Sequence, residues 1–191
     1  MVDDRKRVQD VFGDLRPGSA LMLSCPPCDL RDGLSSELVA EKLREGGTAL
    51  VVLSQIKPDD FLDLLEKNGA DLEKSIEEDR LIIVDWYTHK TQRVIGIEES
   101  EGIIRSSRDV LNVSISINKA LKKLEESDDK IALVECLDEA VNLFDWDTAF
   151  EYLTNFMGKF EKNDYSAIYP HSGDLDEDKL SSLQGSIDGL M

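Results

Sequence analysis

The chain has few of the residues that form cross-links or metal sites. Its 191 residues include three cysteines, Cys25, Cys28 and Cys136, and two histidines, His89 and His171. Three cysteines cannot form a disulfide framework, and with so few histidines a structural zinc site is not expected. We expect Cys136 to fill space at the end of a buried strand, and both histidines to be surface or loop residues rather than catalytic ones.

Long apolar runs are also missing, and no leader segment is expected. The apolar runs, such as those at 20–23 and 81–84, are far shorter than the roughly 20 residues that a membrane-spanning helix needs. Residues 1–8 are charged and have neither the apolar stretch nor the cleavage site of a signal peptide. The sequence therefore predicts a cytoplasmic protein with no membrane partner.

Basic residues are scarce relative to acidic ones. Against 40 Asp and Glu there are 22 Lys and Arg, which gives a formal net charge of -18 at pH 7. A chain this acidic repels the phosphates of DNA and RNA. We therefore expect no nucleic-acid partner. The three glutamates Glu98, Glu99 and Glu101 are expected to form a solvated face rather than a metal site.

Short apolar runs alternate along the chain with longer amphipathic stretches. This alternation is typical of buried parallel strands connected by crossover helices. Strands are predicted at 19–24, 48–53, 81–85, 131–136 and 166–169. Helices are predicted at 33–44, 58–68, 110–124, 147–160 and 176–184, with Asp109 and Asp145 as N-caps for two of them. The predicted fold class is α/β, with a mostly parallel central sheet flanked by helices.

No internal repeat or linker divides the chain, so a single domain over 1–191 is predicted. Residues 1–14 form an N-terminal extension, and 86–107 form a hairpin or extended excursion after the third strand. Within that excursion, Trp86 and Tyr87 are expected to be core or interface residues. Residues 187–191 look like the start of a strand, which leaves open whether the last strands of the sheet are present.

The unit around the first strand carries a resemblance to a known family. It reads Pro17-Gly18-Ser19-Ala20-Leu21-Met22-Leu23-Ser24-Cys25-Pro26-Pro27-Cys28-Asp29-Leu30-Arg31-Asp32. The Pro-Gly-Ser turn, the strand and the Pro-Pro pair resemble the KaiC/RadA branch of the RecA ATPase superfamily, whose phosphate loop runs G-P-P-G-T-G-K-T. The resemblance implies a RecA-like three-layer sandwich and edge-to-edge assembly into oligomers.

The segment matching the phosphate loop differs from the family pattern at every chemical position. The three loop glycines correspond to Cys25, Cys28 and Leu30, the lysine to Arg31, and the threonine to Asp32. Side chains at the glycine positions obstruct the close approach of backbone to phosphate, and carboxylates repel it. The full degenerate phosphate loop consists of Cys25, Pro26, Pro27, Cys28, Asp29, Leu30, Arg31 and Asp32.

At two further positions that match the family, the residues are also less suited to ATP hydrolysis than those of the family pattern. Leu53-Ser54-Gln55 stands where the family carries Leu-Glu-Glu, and neutral Ser and Gln cannot act as a strong general base. Glu135 stands at the Walker B aspartate, where it keeps the charge on a longer arm and remains a weak candidate metal ligand. The 85–87 exit and the 112–121 helix resemble inactivated archaeal RecA-fold proteins that are thought of as regulators.

The sequence thus predicts a noncatalytic RecA/KaiC-fold pseudo-ATPase that acts as a regulatory or scaffold protein. Its partner is expected to be another protein, either a RecA-fold relative or a second copy, and no ATP or magnesium cofactor is expected. One alternative is residual nucleotide binding through Arg31 and Glu135. Another is dithiol redox chemistry, because Cys25-Pro-Pro-Cys28 before a helix also spells a thioredoxin-type motif.

Overall fold

The computed structural model describes residues 16–24, 29–124, 126–173 and 175–190. The described residues form eight strands: β1 Ala20–Ser24, β2 Thr48–Leu53, β3 Leu81–Asp85, β4 Ile97–Ser100, β5 Ile103–Ser106, β6 Lys130–Glu135, β7 Ser166–His171 and β8 Gly189–Leu190. They also form seven α-helices: α1 Asp29–Arg44, α2 Pro58–Lys67, α3 Leu72–Glu77, α4 Val110–Lys123, α5 Leu137–Leu143, α6 Trp146–Lys162 and α7 Glu177–Gln184.

The strands form one sheet in the order β4-β5-β3-β2-β6-β7-β1-β8. Every neighbouring pair is parallel except β4 and β5, which form an antiparallel hairpin at one edge. The predicted mostly parallel sheet is therefore confirmed. The hairpin lies within the predicted 86–107 excursion and joins the sheet through β5.

Helices cover both faces of the sheet. Alternate residues of each central strand point to opposite sides, and both sets are mostly apolar and buried, so each face packs against helices. Leu50 and Val52 of β2 belong to one buried cluster, which is completed by α4, α5 and α6. Val51 and Leu53 of the same strand belong to a second cluster, which is completed by α1 and α2. Two cores on either side of one sheet make a three-layer α/β/α sandwich, as predicted.

Several predicted details are confirmed. β2 and β3 span the predicted residues, and β8 falls within the predicted strand at 187–191. Asp109 caps α4 by accepting from the Leu111 N–H at 2.9 Å, and Asp145 caps α6 by accepting from the Thr148 N–H at 3.0 Å. No helix of the described residues is long and apolar enough to cross a membrane.

Some predicted boundaries were wrong, and two short helices were not predicted. The first helix begins at Asp29, four residues before the predicted start at Gly33; an aspartate in a first turn is favoured by the helix dipole. β7 continues through Pro170 to His171, although a proline usually ends a strand. The short helices α3 and α5 were not predicted, since six or seven residues carry too little periodicity.

Candidate functional site

The candidate site lies at the edge of the sheet where the parallel strands end. β2 ends at Leu53, β3 at Asp85, β6 at Glu135 and β7 at His171. Because β6 lies between β2 and β7, the residues that follow these strands are brought close together. Ligands of open α/β sheets bind at this edge.

Arg31 is the centre of this edge. It is the third residue of α1, and its side chain is only 2% exposed. Its Nη2 donates to Oε1 of Glu135 at 2.9 Å, and its Nε donates to Oδ1 of Asp32 at 3.3 Å. Its Nη1 lies 4.0 Å from Oδ2 of Asp138 and has no hydrogen-bond partner among the described residues. One buried guanidinium thus faces three carboxylates.

Glu135 is the last residue of β6 and is also buried. Besides the Arg31 contact at Oε1, its Oε2 accepts from the backbone N–H of Gln55 at 3.4 Å. Burial raises the pKa of Glu135 to about 7, against the lowering effect of Arg31 and with an added raising effect of Asp32. Loss of hydration therefore outweighs the attraction of the arginine.

Ser54 and Gln55 follow β2 beside this pair. The buried Ser54 hydroxyl donates to the backbone carbonyl of Glu135 at 2.5 Å. Gln55 contacts Glu135 through its backbone N–H, and neither Ser54 nor Gln55 brings a carboxylate to the site. Both therefore hold the end of β6 in place.

The loop after β7 is tied to the start of α5 through Asp138. Oδ1 of Asp138 accepts from both the backbone N–H and the hydroxyl of Ser172, each at 3.1 Å. The neighbouring His171 accepts from the Gly173 N–H at its Nδ1, at 3.0 Å. His171 is fully buried, so its predicted place on the surface or in a loop is wrong. It became buried because β7 extends past Pro170.

A second polar cluster lies on the other side of α5, around Glu139. Oε2 of Glu139 lies 2.5 Å from Nζ of Lys90, and Oε1 lies 3.5 Å from Nε2 of His89. The His89 ring is 5.7 Å from the buried ring of Trp86 and is itself only 7% exposed. His89 was predicted to be a surface or loop residue; it lies on the connection between β3 and β4, with its side chain largely buried. Trp86, which was predicted to be a core or interface residue, lies in the core.

Asp85 organises the turn that carries this second cluster. The Asp85 side chain is fully buried and accepts from the backbone N–H groups of Tyr87 and Thr88 at 3.0 and 2.9 Å. It also accepts from the Thr88 hydroxyl at 2.6 Å, and Arg105 Nε lies 3.5 Å away. Asp85 is therefore a structural residue of this turn.

The remaining predicted site residues lie partly outside the described residues, partly in α1 and partly on β4. Residues 25–28, which include both cysteines of the redox alternative, lie outside the described residues. Asp29 and Leu30 are described as the first two residues of α1, so together with Arg31 and Asp32 they are helical rather than part of a loop. Glu99 is ion-paired with Lys119 at 2.6 Å on the exposed strand β4, as a solvated face predicts.

Asp138 and Glu139 were missed by sequence reasoning. Both lie on the unpredicted helix α5, directly after the strand that ends at Glu135. Their position directly after a buried strand could have identified them as site residues, because residues that follow parallel strands lie at the ligand-binding edge of the sheet. Within the described part of the chain, no three His, Cys, Asp or Glu side chains are arranged to hold a metal ion.

Comparison with known proteins identifies the fold. No protein-family model matches the sequence, and no curated protein matches it either. A KaiC-like protein from the hyperthermophilic archaeon Pyrococcus horikoshii OT3 is similar in structure, with a TM-score of 0.65 and 17% identity over 91% of this chain and 71% of that chain.

An uncharacterized Pyrococcus horikoshii protein, solved in complex with an unknown peptide, is also similar. It has a TM-score of 0.67 and 13% identity over 97% of this chain and 81% of that chain. At these identities the likeness shows the fold alone. The chain therefore has a KaiC-like α/β fold with a mostly parallel sheet flanked by helices.

Proposed function

We propose that this chain is a noncatalytic protein of RecA/KaiC-like fold that acts by binding another protein, as a regulator or scaffold. One observation carries the proposal, namely the buried ion pair between Arg31 and Glu135. Arg31 corresponds to the phosphate-binding lysine of the family pattern, and Glu135 to the acid that holds the magnesium shell. In this chain the two side chains bind each other.

The ion pair argues against a magnesium-bound triphosphate at this edge. A phosphate bound to Arg31 would compete with Glu135 for the buried guanidinium, and separating this pair costs free energy. Asp32 and Asp138 would stay beside the incoming phosphates and repel them. The residues present do not fit this ligand.

The position of the general base supports the same proposal. Ser54 and Gln55 stand where the family pattern has glutamates, and the Ser54 hydroxyl is committed to the carbonyl of Glu135. A neutral side chain cannot take a proton from an attacking water at neutral pH. Three positions that would have to cooperate in hydrolysis therefore carry unsuitable groups.

Binding to a protein is supported by the fold and by charge. The uncharacterized Pyrococcus horikoshii protein of similar fold is in complex with an unknown peptide. The net charge of -18 disfavours nucleic acid as the partner. A RecA-fold relative or a second copy of this chain remains the expected partner, in the cytoplasm.

Residual nucleotide binding is the second candidate, because Nη1 of the buried Arg31 has no hydrogen-bond partner among the described residues. Calorimetric titration of the full chain with magnesium-ATP separates the two. The proposal predicts no heat beyond dilution, with an active RecA-fold ATPase as the positive control. Saturable binding at micromolar ATP that is lost in Arg31→Met would establish a nucleotide-binding protein instead.

A further inference from the structure

The large aliphatic side chains that are exposed to solvent are concentrated in one region. Among the described residues these are Ile95, Leu111 and Ile115, with 72%, 56% and 38% of their surface exposed. Leu111 and Ile115 are one turn apart on the same face of α4. Single exposed aliphatic residues are ordinary, but a cluster of them marks an interaction site.

Hydrogen bonds hold the hairpin end of this region against the start of α4. The backbone N–H of Ser107 donates to the carbonyl of Gly96 at 2.9 Å, and its hydroxyl accepts from Nδ2 of Asn112 at 2.7 Å. Gly96 and Asn112 are the chain neighbours of Ile95 and Leu111. Ser107 thus joins the segment that carries Ile95 to the start of α4, which carries Leu111. We name Ile95, Leu111 and Ile115 the α4 patch.

Further along, α4 is fastened to the edge strand β4. Lys119 and Lys123 both form ion pairs with Glu99, Lys119 at 2.6 Å. The surface that carries the α4 patch is therefore held in place before any partner arrives, which lowers the entropy cost of binding.

The α4 patch lies in the cationic part of an acidic protein. Residues 86–123 contain seven basic and four acidic residues, whereas the whole chain has 22 basic and 40 acidic residues. Arg93, Arg108 and Lys122 are exposed, and none of them forms an ion pair with another described residue. Lys122 lies seven residues after Ile115 on the same face of α4, and Arg108 directly precedes the N-cap Asp109, so cations stand at both ends of the patch.

We infer that the α4 patch is the docking surface for an acidic segment of a partner protein that presents aliphatic side chains. This inference rests on the proposed protein-binding function and names the chemistry of its partner. Aliphatic side chains would cover the patch, while carboxylates would meet Arg93, Arg108 and Lys122. Two copies meeting through this same face would bring like charges together.

The edge strand β4 is a poorer place for such a segment. Glu98 is exposed on it and forms no ion pair with another described residue, so an acidic strand added there would meet an uncompensated carboxylate. The partner is therefore expected to lie along the outer face of α4 rather than to extend the sheet.

A selection from random displayed peptides tests the chemistry of the partner directly. Peptides selected on the immobilised full chain should be enriched in acidic residues spaced among Leu, Ile or Val. Their affinity, measured by fluorescence anisotropy, should fall about tenfold or more for Leu111→Glu, as expected at the centre of a small interface. The control Asn155→Glu adds the same charge at an exposed position of α6 and should bind as the unchanged chain does.

A second pair of variants tests the cations. Arg108→Gln with Lys122→Gln should weaken the selected peptides and reduce the effect of salt on their binding. The control Lys57→Gln with Lys67→Gln removes two exposed lysines elsewhere. It should change neither the affinity for the selected peptides nor the effect of salt on their binding. Far-UV circular dichroism of each variant excludes misfolding as the cause.

Several results would overturn the inference. These are no enriched peptide, enrichment of neutral or basic peptides, equal binding to Leu111→Glu, and occupation of the patch by oligonucleotides or by a second copy in sedimentation velocity. The proposed noncatalytic role fails separately, in the magnesium-ATP titration. A negative selection with no ATP binding rejects the α4 patch alone.

Discussion

The guanidinium of Arg31 and the carboxylate of Glu135 are separated by 104 positions in the chain, yet they meet at 2.9 Å in the protein interior. α1 brings the arginine to the edge of the sheet, and β6 ends at the glutamate. Each would be a costly buried charge without the other. Their pairing therefore compensates two charges that burial alone would disfavour.

The first prediction concerns the coupling between these two residues. Arg31→Met should lower the free energy of unfolding by about 1 to 3 kcal/mol, because Glu135 loses its hydrogen-bonded cation and must take up a proton beside two other carboxylates. Adding Glu135→Gln should recover much of this loss. A double-mutant cycle by urea denaturation at pH 8 measures the coupling, and additive effects of the two substitutions would exclude it.

Glu135 should also make stability depend on pH. Its folded pKa of about 7 lies above the ordinary value of 4.5, so the folded state holds a proton that the unfolded chain releases. Its contribution to stability is therefore full below about pH 4.5 and is lost as the pH rises through 7. The difference in unfolding free energy between the unchanged chain and Glu135→Gln should fall across this window. A flat or rising difference would contradict the assignment.

Two glycines should respond to alanine in opposite directions. A Cβ on Gly47 would lie 2.6 Å from the carbonyl oxygen of Asp129, so Gly47→Ala should destabilise the fold by about 1 to 3 kcal/mol. Gly33 lies within α1 with nothing within 4 Å of an added Cβ, so Gly33→Ala should stabilise it by about 0.5 to 1 kcal/mol. Thermal unfolding compares them, and the same sign for both would be unexpected.

The thiol of Cys136 should be inert in the folded protein. It is 2% exposed, and burial raises its pKa to about 12, with Glu135 and Asp138 adding to the rise. In a Cys25→Ser, Cys28→Ser variant, it should react with Ellman's reagent at least about a hundredfold more slowly when folded than in urea. Fast reaction in the native state would mean that this part of the core opens readily.

The strands and caps of this fold could be predicted because their causes are local. β2 consists of a threonine and five apolar residues bounded by Gly47 and Ser54, and Asp109 and Asp145 precede amphipathic stretches. α5 was missed because seven residues after a strand give no clear helical period. The burial of His171 was missed because a proline normally argues against a continuing strand.

The sequence could predict which residues belong to the site, but not which of them contact each other. Arg31 and Glu135 could each be identified from their place in the family pattern. Their direct pairing depends on β6 lying next to β2 and on α1 beginning at Asp29, which local sequence does not specify. Asp138 could not be predicted either, because its contact with Ser172 joins the first turn of α5 to the loop after β7, 34 residues further along the chain.

The central claim is that Arg31 is occupied by Glu135 rather than available to a nucleotide. The most direct measurement follows the Nε–Hε resonance of Arg31 by NMR in the full chain. We predict that the resonance moves on Glu135→Gln and does not move when magnesium-ATP is added. A saturable shift with magnesium-ATP, combined with no response to Glu135→Gln, would contradict the claim.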